Sequence, residues 1–290
     1  MTGVTRLKSA PTEGVSATLT GRIGAPPIPH EHGAWVMLLL PMLTAFAVAR
    51  PSGWPQVLLL TAAVTAAYLA RHPADLLLRG KGQRGSAFWM TAYGAIAVAT
   101  AVPLIVFWHG AALLGVMCIA GLLFGLHAVL LGLPSKRRWD RSVFGEMLAV
   151  VGLTLSAPAA LVVARGTFTP EAWVLWAAFA LFFAGGVLHV KTLLGGARHK
   201  GALDLPVRWR LGRASALYHA TLLILAPAMA AQVGLSMAMV TIAVVPVSLR
   251  ALWAVGRLSR RLPPLKWVGA LESVYALWFA AWFGAAMLSR

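Results

Sequence analysis

Nine stretches of the sequence, at about residues 33–49, 54–70, 87–107, 111–132, 143–164, 172–194, 214–232, 236–256 and 268–288, are apolar almost throughout. Each runs ~17–23 residues, and at ~1.5 Å per residue a helix of that length crosses a hydrocarbon core of about 30 Å. A membrane β-barrel would instead show ~10-residue segments alternating between polar and apolar residues. A mean hydropathy of +0.77, with 11% charged residues, lies far outside the range of an ordinary soluble domain. The expected fold is therefore all-α: a polytopic membrane protein whose nine helices form one domain over residues 26–290. Residues 1–25 mix Thr, Ser, Gly and Pro with three cations and lack the apolar core of a signal peptide. They read as a disordered cytoplasmic tail. Pro41, Pro103, Pro158, Pro227 and Pro246 fall inside spans and are expected to bend them.

A formal charge of +17 would point to nucleic acid in a soluble chain. Here the positions of the cations point elsewhere. With the N-terminus in the cytosol, twenty-two of the twenty-five lysines and arginines fall on the cytoplasmic side, and only Arg50, Arg165 and Arg290 on the other. The positive-inside rule then gives an N-terminus in the cytoplasm and a C-terminus outside. No nucleic-acid partner is needed to explain the charge; anionic membrane lipids are the partners expected for such a face. The lone Cys118, inside the fourth span, excludes an intrachain disulfide and a cysteine-based metal cluster.

Seven ionisable residues inside the spans share one depth. His127 comes shortly before the end of the fourth span and Glu146 shortly after the start of the fifth. His189 and Lys191 close the sixth, His219 enters the seventh, Arg250 leaves the eighth and Glu272 enters the ninth. Each lies within ~10 Å of the cytoplasmic boundary by helical rise. Lys191 and Arg250 have stems long enough to reach water, and Glu146 gains from the positive end of its helix. An acid in mid-membrane costs about 2.5–3.5 kcal/mol on insertion scales, so these acids need partners or water. The layer is accordingly expected to surround a cytoplasm-facing polar cavity.

The segment PPIPHEHGAW, residues 26–35, places three titratable groups beside that layer. His-x-His on extended backbone turns both imidazoles to one side. His30 and His32 are thus candidate metal ligands with Glu31 as an orienting partner, provided a third ligand such as His72, Asp75 or Glu146 joins them. Without one, the three side chains serve a ligand by hydrogen bonding or proton exchange. Two cationic loops, ARHPADLLLRGKGQRG and HVKTLLGGARHKGALDLPVRWRLGR, are expected after the second and sixth spans. Arg79, Lys81 and Arg84 in the first, with Arg198, Lys200 and Arg208 in the second, are candidate clamps for a phosphate or lipid head group. Gly80, Gly82, Gly195 and Gly196 would let the loops close over it.

The stretch PHEHGAWVMLLLP, with FFAGGVLHVKTLL and WDRSVFGEMLAVVGLTLSAPAA, resembles the YwiC-like family of bacterial membrane proteins over most of the chain after residue 26. The resemblance implies a bacterial cell (inner) membrane. A more distant similarity is to the UbiA superfamily of membrane prenyltransferases. It would imply a nine-helix bundle with a cytoplasm-facing cavity and two Asp-rich motifs that hold magnesium and a prenyl diphosphate. At the corresponding positions this chain reads RHPAD and HVKTLL: Asp75 is the one matching acid of the first motif, and the second offers His189 and Lys191. The usual means of bridging Mg²⁺ to diphosphate is missing, which leaves the cofactor open.

Two functions follow as expectations. One is a UbiA-like protein holding an isoprenoid or quinone-like lipid, extending to an atypical transferase. Its catalytic candidates are Glu146, His189, His72 and Asp75, and its ligand-binding candidates are His30, Glu31, His32, Lys191, Arg79, Lys81, Arg84 and Arg198. The alternative is a proton-coupled transporter of a small anion or metal, with the titratable layer carrying the protons.

Overall fold

A computed structural model of the chain describes residues 25–29, 32–51, 53–82, 85–132, 142–261 and 264–290. The expected tail, residues 1–25, lies outside them except for Ala25. Every regular element among the described residues is helical. They are α1 (His32–Ala49), α2 (Trp54–Leu78), α3 (Ser86–Leu104), α4 (Gly110–Gly132), α5 (Val143–Thr154), α6 (Ser156–Arg165), α7 (Pro170–Arg198), α8 (Leu205–Gln232), α9 (Met237–Gly256) and α10 (Leu265–Leu288). Counting α5 and α6 as one span, eight spans are long and apolar enough to cross a membrane, and α1 is a shorter ninth.

α5 and α6 are one span broken at Leu155. Pro158 has no N–H for the carbonyl of Thr154, and its ring crowds that carbonyl, so the helix cannot run straight through. The break turns α6 into the middle of the bundle, where residues 156–163 are all buried. The Ser156 hydroxyl donates to the Leu38 carbonyl at 2.6 Å, fixing α6 against the turn of α1 that Pro41 loosens. Around this pair the core is filled by Met42, Leu161, Leu175, Phe179, Val244 and Phe283. Phe182 stacks on Phe279, with centroids 4.5 Å apart, and joins α7 to α10.

Between α3 and α4 there is no loop. Residues Ile105–His109 form a π turn that leads directly into Gly110. A Cβ on Gly110 would sit 2.7 Å from the Ile105 carbonyl oxygen, so the reversal needs a glycine there. The two helices diverge from it as a V: Ala97 and Leu104 of α3 and Leu113 and His127 of α4 border a common cavity. Both face outward for most of their length, with exposed Ile96, Val102, Leu122 and Val129. In a membrane protein such an apolar surface is the face that meets lipid.

The long loops expected after the second and sixth spans are shorter than the sequence suggested. α2 continues to Leu78 and α7 to Arg198, with α8 starting at Leu205. Gly195 and Gly196 are therefore helical and do not form a closing loop. Charged residues prolong the helices beyond their apolar parts because Arg, Lys, Leu and Ala are good helix formers, so hydropathy marks where the apolar run stops and not where the helix stops. The end of the bundle opposite the clustered cations carries its own small network. Arg165 Nη1 lies 3.4 Å from Glu171 Oε2, and Arg290 Nη1 lies 3.3 Å from Glu171 Oε1.

Candidate functional site

The polar layer separates into three groups, with α7 contributing to two of them. On α2, Tyr68, Arg71 and Asp75 follow one another at spacings of three and four and so share one face. Arg71 Nη2 donates to His127 Nε2 on α4 at 3.2 Å, and Arg71 Nε lies 3.7 Å from Asp75 Oδ2. His127 is buried. This group closes the cationic end of a cavity of about 330 Å³ between α2, the α3–α4 V, and the α5–α6 span. Beyond Tyr68, Arg71 and His127 the lining is apolar apart from Ser156, with Leu60, Leu104 and Leu113 at the far end.

The second group contains an ion pair. Lys191 Nζ of α7 donates to Glu146 Oε1 in the first turn of α5 at 2.9 Å. Ser142 caps that turn by accepting from Gly145 N at 3.1 Å. Both side chains of the pair are partly exposed, and neither lines the cavity.

The third group is the most buried. His189 of α7, His219 of α8 and Ser248 of α9 are 4%, 0% and 0% exposed. Arg250 Nη2 donates to Glu272 Oε1 of α10 at 2.7 Å, and the guanidinium lies over the Tyr275 ring at 4.5 Å. His219 Nδ1 sits 2.8 Å from the Ser215 carbonyl, to which it donates.

The remaining candidates fall outside these groups. His30, Glu31 and Arg84 lie outside the described residues, as does the side chain of His32. The extended backbone expected through His32 does not reach it, because His32 opens α1. His72, half-buried on α2, is absent from the cavity wall. Among the described residues, no three His, Cys, Asp or Glu side chains are grouped to hold a metal ion. Arg79 ends α2, its N–H bonded to the Asp75 carbonyl at 3.2 Å. Lys81, Lys200 and Arg198 are exposed. Arg208 is structural: its Nη1 donates to the Gly256 carbonyl at 2.7 Å and its Nε to the Leu203 carbonyl at 2.7 Å, capping α9 from the start of α8. Arg71, Tyr68 and Ser248 were not singled out from the sequence as site residues. The three-and-four spacing around Arg71 was the signal available for the first two.

These arrangements can be set beside known proteins. A family model described as YwiC-like protein matches residues 28–161. The chain is 31% identical to the uncharacterized protein YwiC of Bacillus subtilis (strain 168) over 261 residues, covering 88% of this chain and 95% of that one. The chain belongs to the YwiC-like family. A 175-residue stretch is 25% identical to an uncharacterized protein of Haemophilus influenzae, covering 58% of this chain and 67% of that one. No solved structure matches the chain. The similarity to the UbiA superfamily thus rests on the sequence reading alone. As a member of the YwiC-like family, the chain carries its HEHGAW segment and the Tyr68–Arg71–Asp75 face inside the matched region. The α7–α10 group lies beyond that region.

Proposed function

We propose that this YwiC-like protein binds an amphiphilic lipid of the isoprenoid or quinone class, with its apolar chain in the α2–α6 cavity and its oxygen-bearing head at Arg71 and His127. The observation that carries this reading is the distribution of polarity along that cavity: hydrocarbon walls for most of its length, and a guanidinium with an imidazole at one end. A guanidinium offers five N–H donors, more than its contacts to His127 and Asp75 use, and suits a carbonyl or anionic acceptor. The positive-inside rule places this end at the cytoplasmic surface of a bacterial cell membrane, with the C-terminus outside.

The geometry favours binding over transfer. In the transferase version Glu146 acts as a general base and Lys191 steadies a leaving group, yet the two neutralise each other and stand off the cavity wall. A path for a small anion or metal would need polar walls along its length, and Ser156 is the one hydroxyl beyond the charged end. The test is mass spectrometry of lipids that co-purify with the full chain. A stoichiometric isoprenoid or quinone that is lost in Ala120→Trp, which fills the cavity, supports the reading. Retention of the same lipid by a folded Ala120→Trp protein overturns it.

A further inference from the structure

We infer that the α7–α10 group forms a second binding site, for an uncharged apolar molecule bearing a hydroxyl, and that a cavity between the same four helices receives its chain. Four buried polar atoms of this group, His189 Nδ1, His219 Nε2, Ser248 Oγ and Arg250 Nε, have no hydrogen-bond partner among the described residues. Buried polar atoms in native proteins are nearly always paired, so four at one level of the same helices call for partners. Two glycines of α7 bring its backbone up against this group. A Cβ on Gly185 would sit 2.8 Å from His219 Nε2, and one on Gly186 would sit 3.3 Å from Glu272 Oε2. The two glycines let that imidazole and that carboxylate close directly onto the α7 backbone.

Charge and hydrogen-bond sense define the guest. Arg250 and Glu272 cancel each other, so an ionic head would arrive with no counter-charge to meet it. His219 donates from Nδ1 to Ser215, which leaves Nε2 of the neutral ring an acceptor, whereas Arg250 Nε is a donor and Ser248 Oγ is both. A hydroxyl is the smallest group that donates to the first while accepting from the others. A cavity of about 270 Å³ lies between the same four helices, on the side of this group away from the cationic end. Its wall includes Phe182, Leu222, Val244 and Phe279, one helical turn (about 5.4 Å) from Gly185, His219, Ser248 and Tyr275 on the same helix faces. The lining is apolar and suits a hydrocarbon chain.

The test uses the full-length protein in lipid nanodiscs, a diazirine-bearing analogue of geraniol, and the same analogue as its methyl ether. Photolysis followed by peptide mapping locates the adducts. The expected result is labelling of Leu222 or Phe279 by the alcohol, about fivefold weaker for the ether, which cannot donate. Ser248→Ala should weaken labelling by the alcohol by a similar factor while leaving the protein folded, since it removes a hydroxyl that has no protein partner. His219→Phe, the harsher variant, should abolish it. Equal labelling by alcohol and ether, or labelling confined to outward residues such as Ile224 and unchanged by Ser248→Ala, overturns the inference. A map showing a lone water bridging these atoms in the presence of saturating alcohol does the same. Adducts on the buried Leu113 or Val116 report the α2–α6 cavity separately, so neither site's failure decides the other's.

Discussion

Gly185 and His219 face each other across the α7–α8 contact so closely that a methyl group on the glycine would lie 2.8 Å from the imidazole Nε2. Tyr218, the residue before it on α8, would be met at 3.3 Å by the same methyl, and its hydroxyl is already committed to the Leu181 carbonyl at 2.7 Å. Neither ring has an easy way to retreat. Gly185→Ala is therefore expected to destabilise the protein by about 1–3 kcal/mol, the usual cost of overpacking. Gly94→Ala, which meets nothing within 4 Å, should be neutral or slightly stabilising through helix propensity. Thermal denaturation of both in one detergent compares them; equal midpoints would show that α7 and α8 are not packed as described.

The Arg250–Glu272 pair should behave as a buried unit. Arg250→Ala strands a carboxylate among apolar helices and is expected to cost about 3–5 kcal/mol, whereas Arg250→Met with Glu272→Gln should recover most of that loss. A double-mutant cycle reads the coupling directly. Additive single effects would mean the two side chains do not meet in the membrane.

Glu146 and Lys191 give the contrasting case. Their side chains are 37% and 26% exposed. Exposed pairs of this kind couple by ~1 kcal/mol or less, so the same cycle run on Glu146→Gln and Lys191→Met should return a small value. A coupling as large as that of Arg250 with Glu272 would show that the pair is sealed from water and that its role has been underestimated.

Topology can be checked without purification. Alkaline phosphatase fused after Arg290 is expected to be active and a green fluorescent protein at the same place dark, because the C-terminus is predicted to lie outside. The opposite pattern would reverse the orientation of every helix and place Arg71 and His127 at the outer surface.

Much of this architecture was legible in the sequence because hydrocarbon thickness imposes one length on all spans. Among the described residues the nine spans appear where the apolar runs lie, and the shared depth of His127, Glu146, His189, Lys191, His219, Arg250 and Glu272 is an expectation from counting residues along them. Which of them touch was not legible. Depth follows from counting residues along a helix, whereas contact depends on which face each helix turns inward, and that is set by packing between helices distant in sequence. Glu146 and His189 were grouped in one cavity mouth, yet the carboxylate pairs with Lys191 and the imidazole belongs to the α7–α10 group. Arg71 was counted as a topology signal because it stands beside other cations at the end of a span. Its role emerges once α4 brings His127 to it, through a reversal at Gly110 that no loop sequence announces.

That reversal also bears on how a guest arrives. With α3 and α4 joined at one end and spread at the other, a single screen of two rods separates the larger chamber from the surrounding fatty acyl chains. A hydrophobic visitor already dissolved in the bilayer has only that screen to cross and need never enter water. Occupancy would then follow the visitor's mole fraction in the lipid, so affinities for this chamber are meaningful only when expressed on that scale.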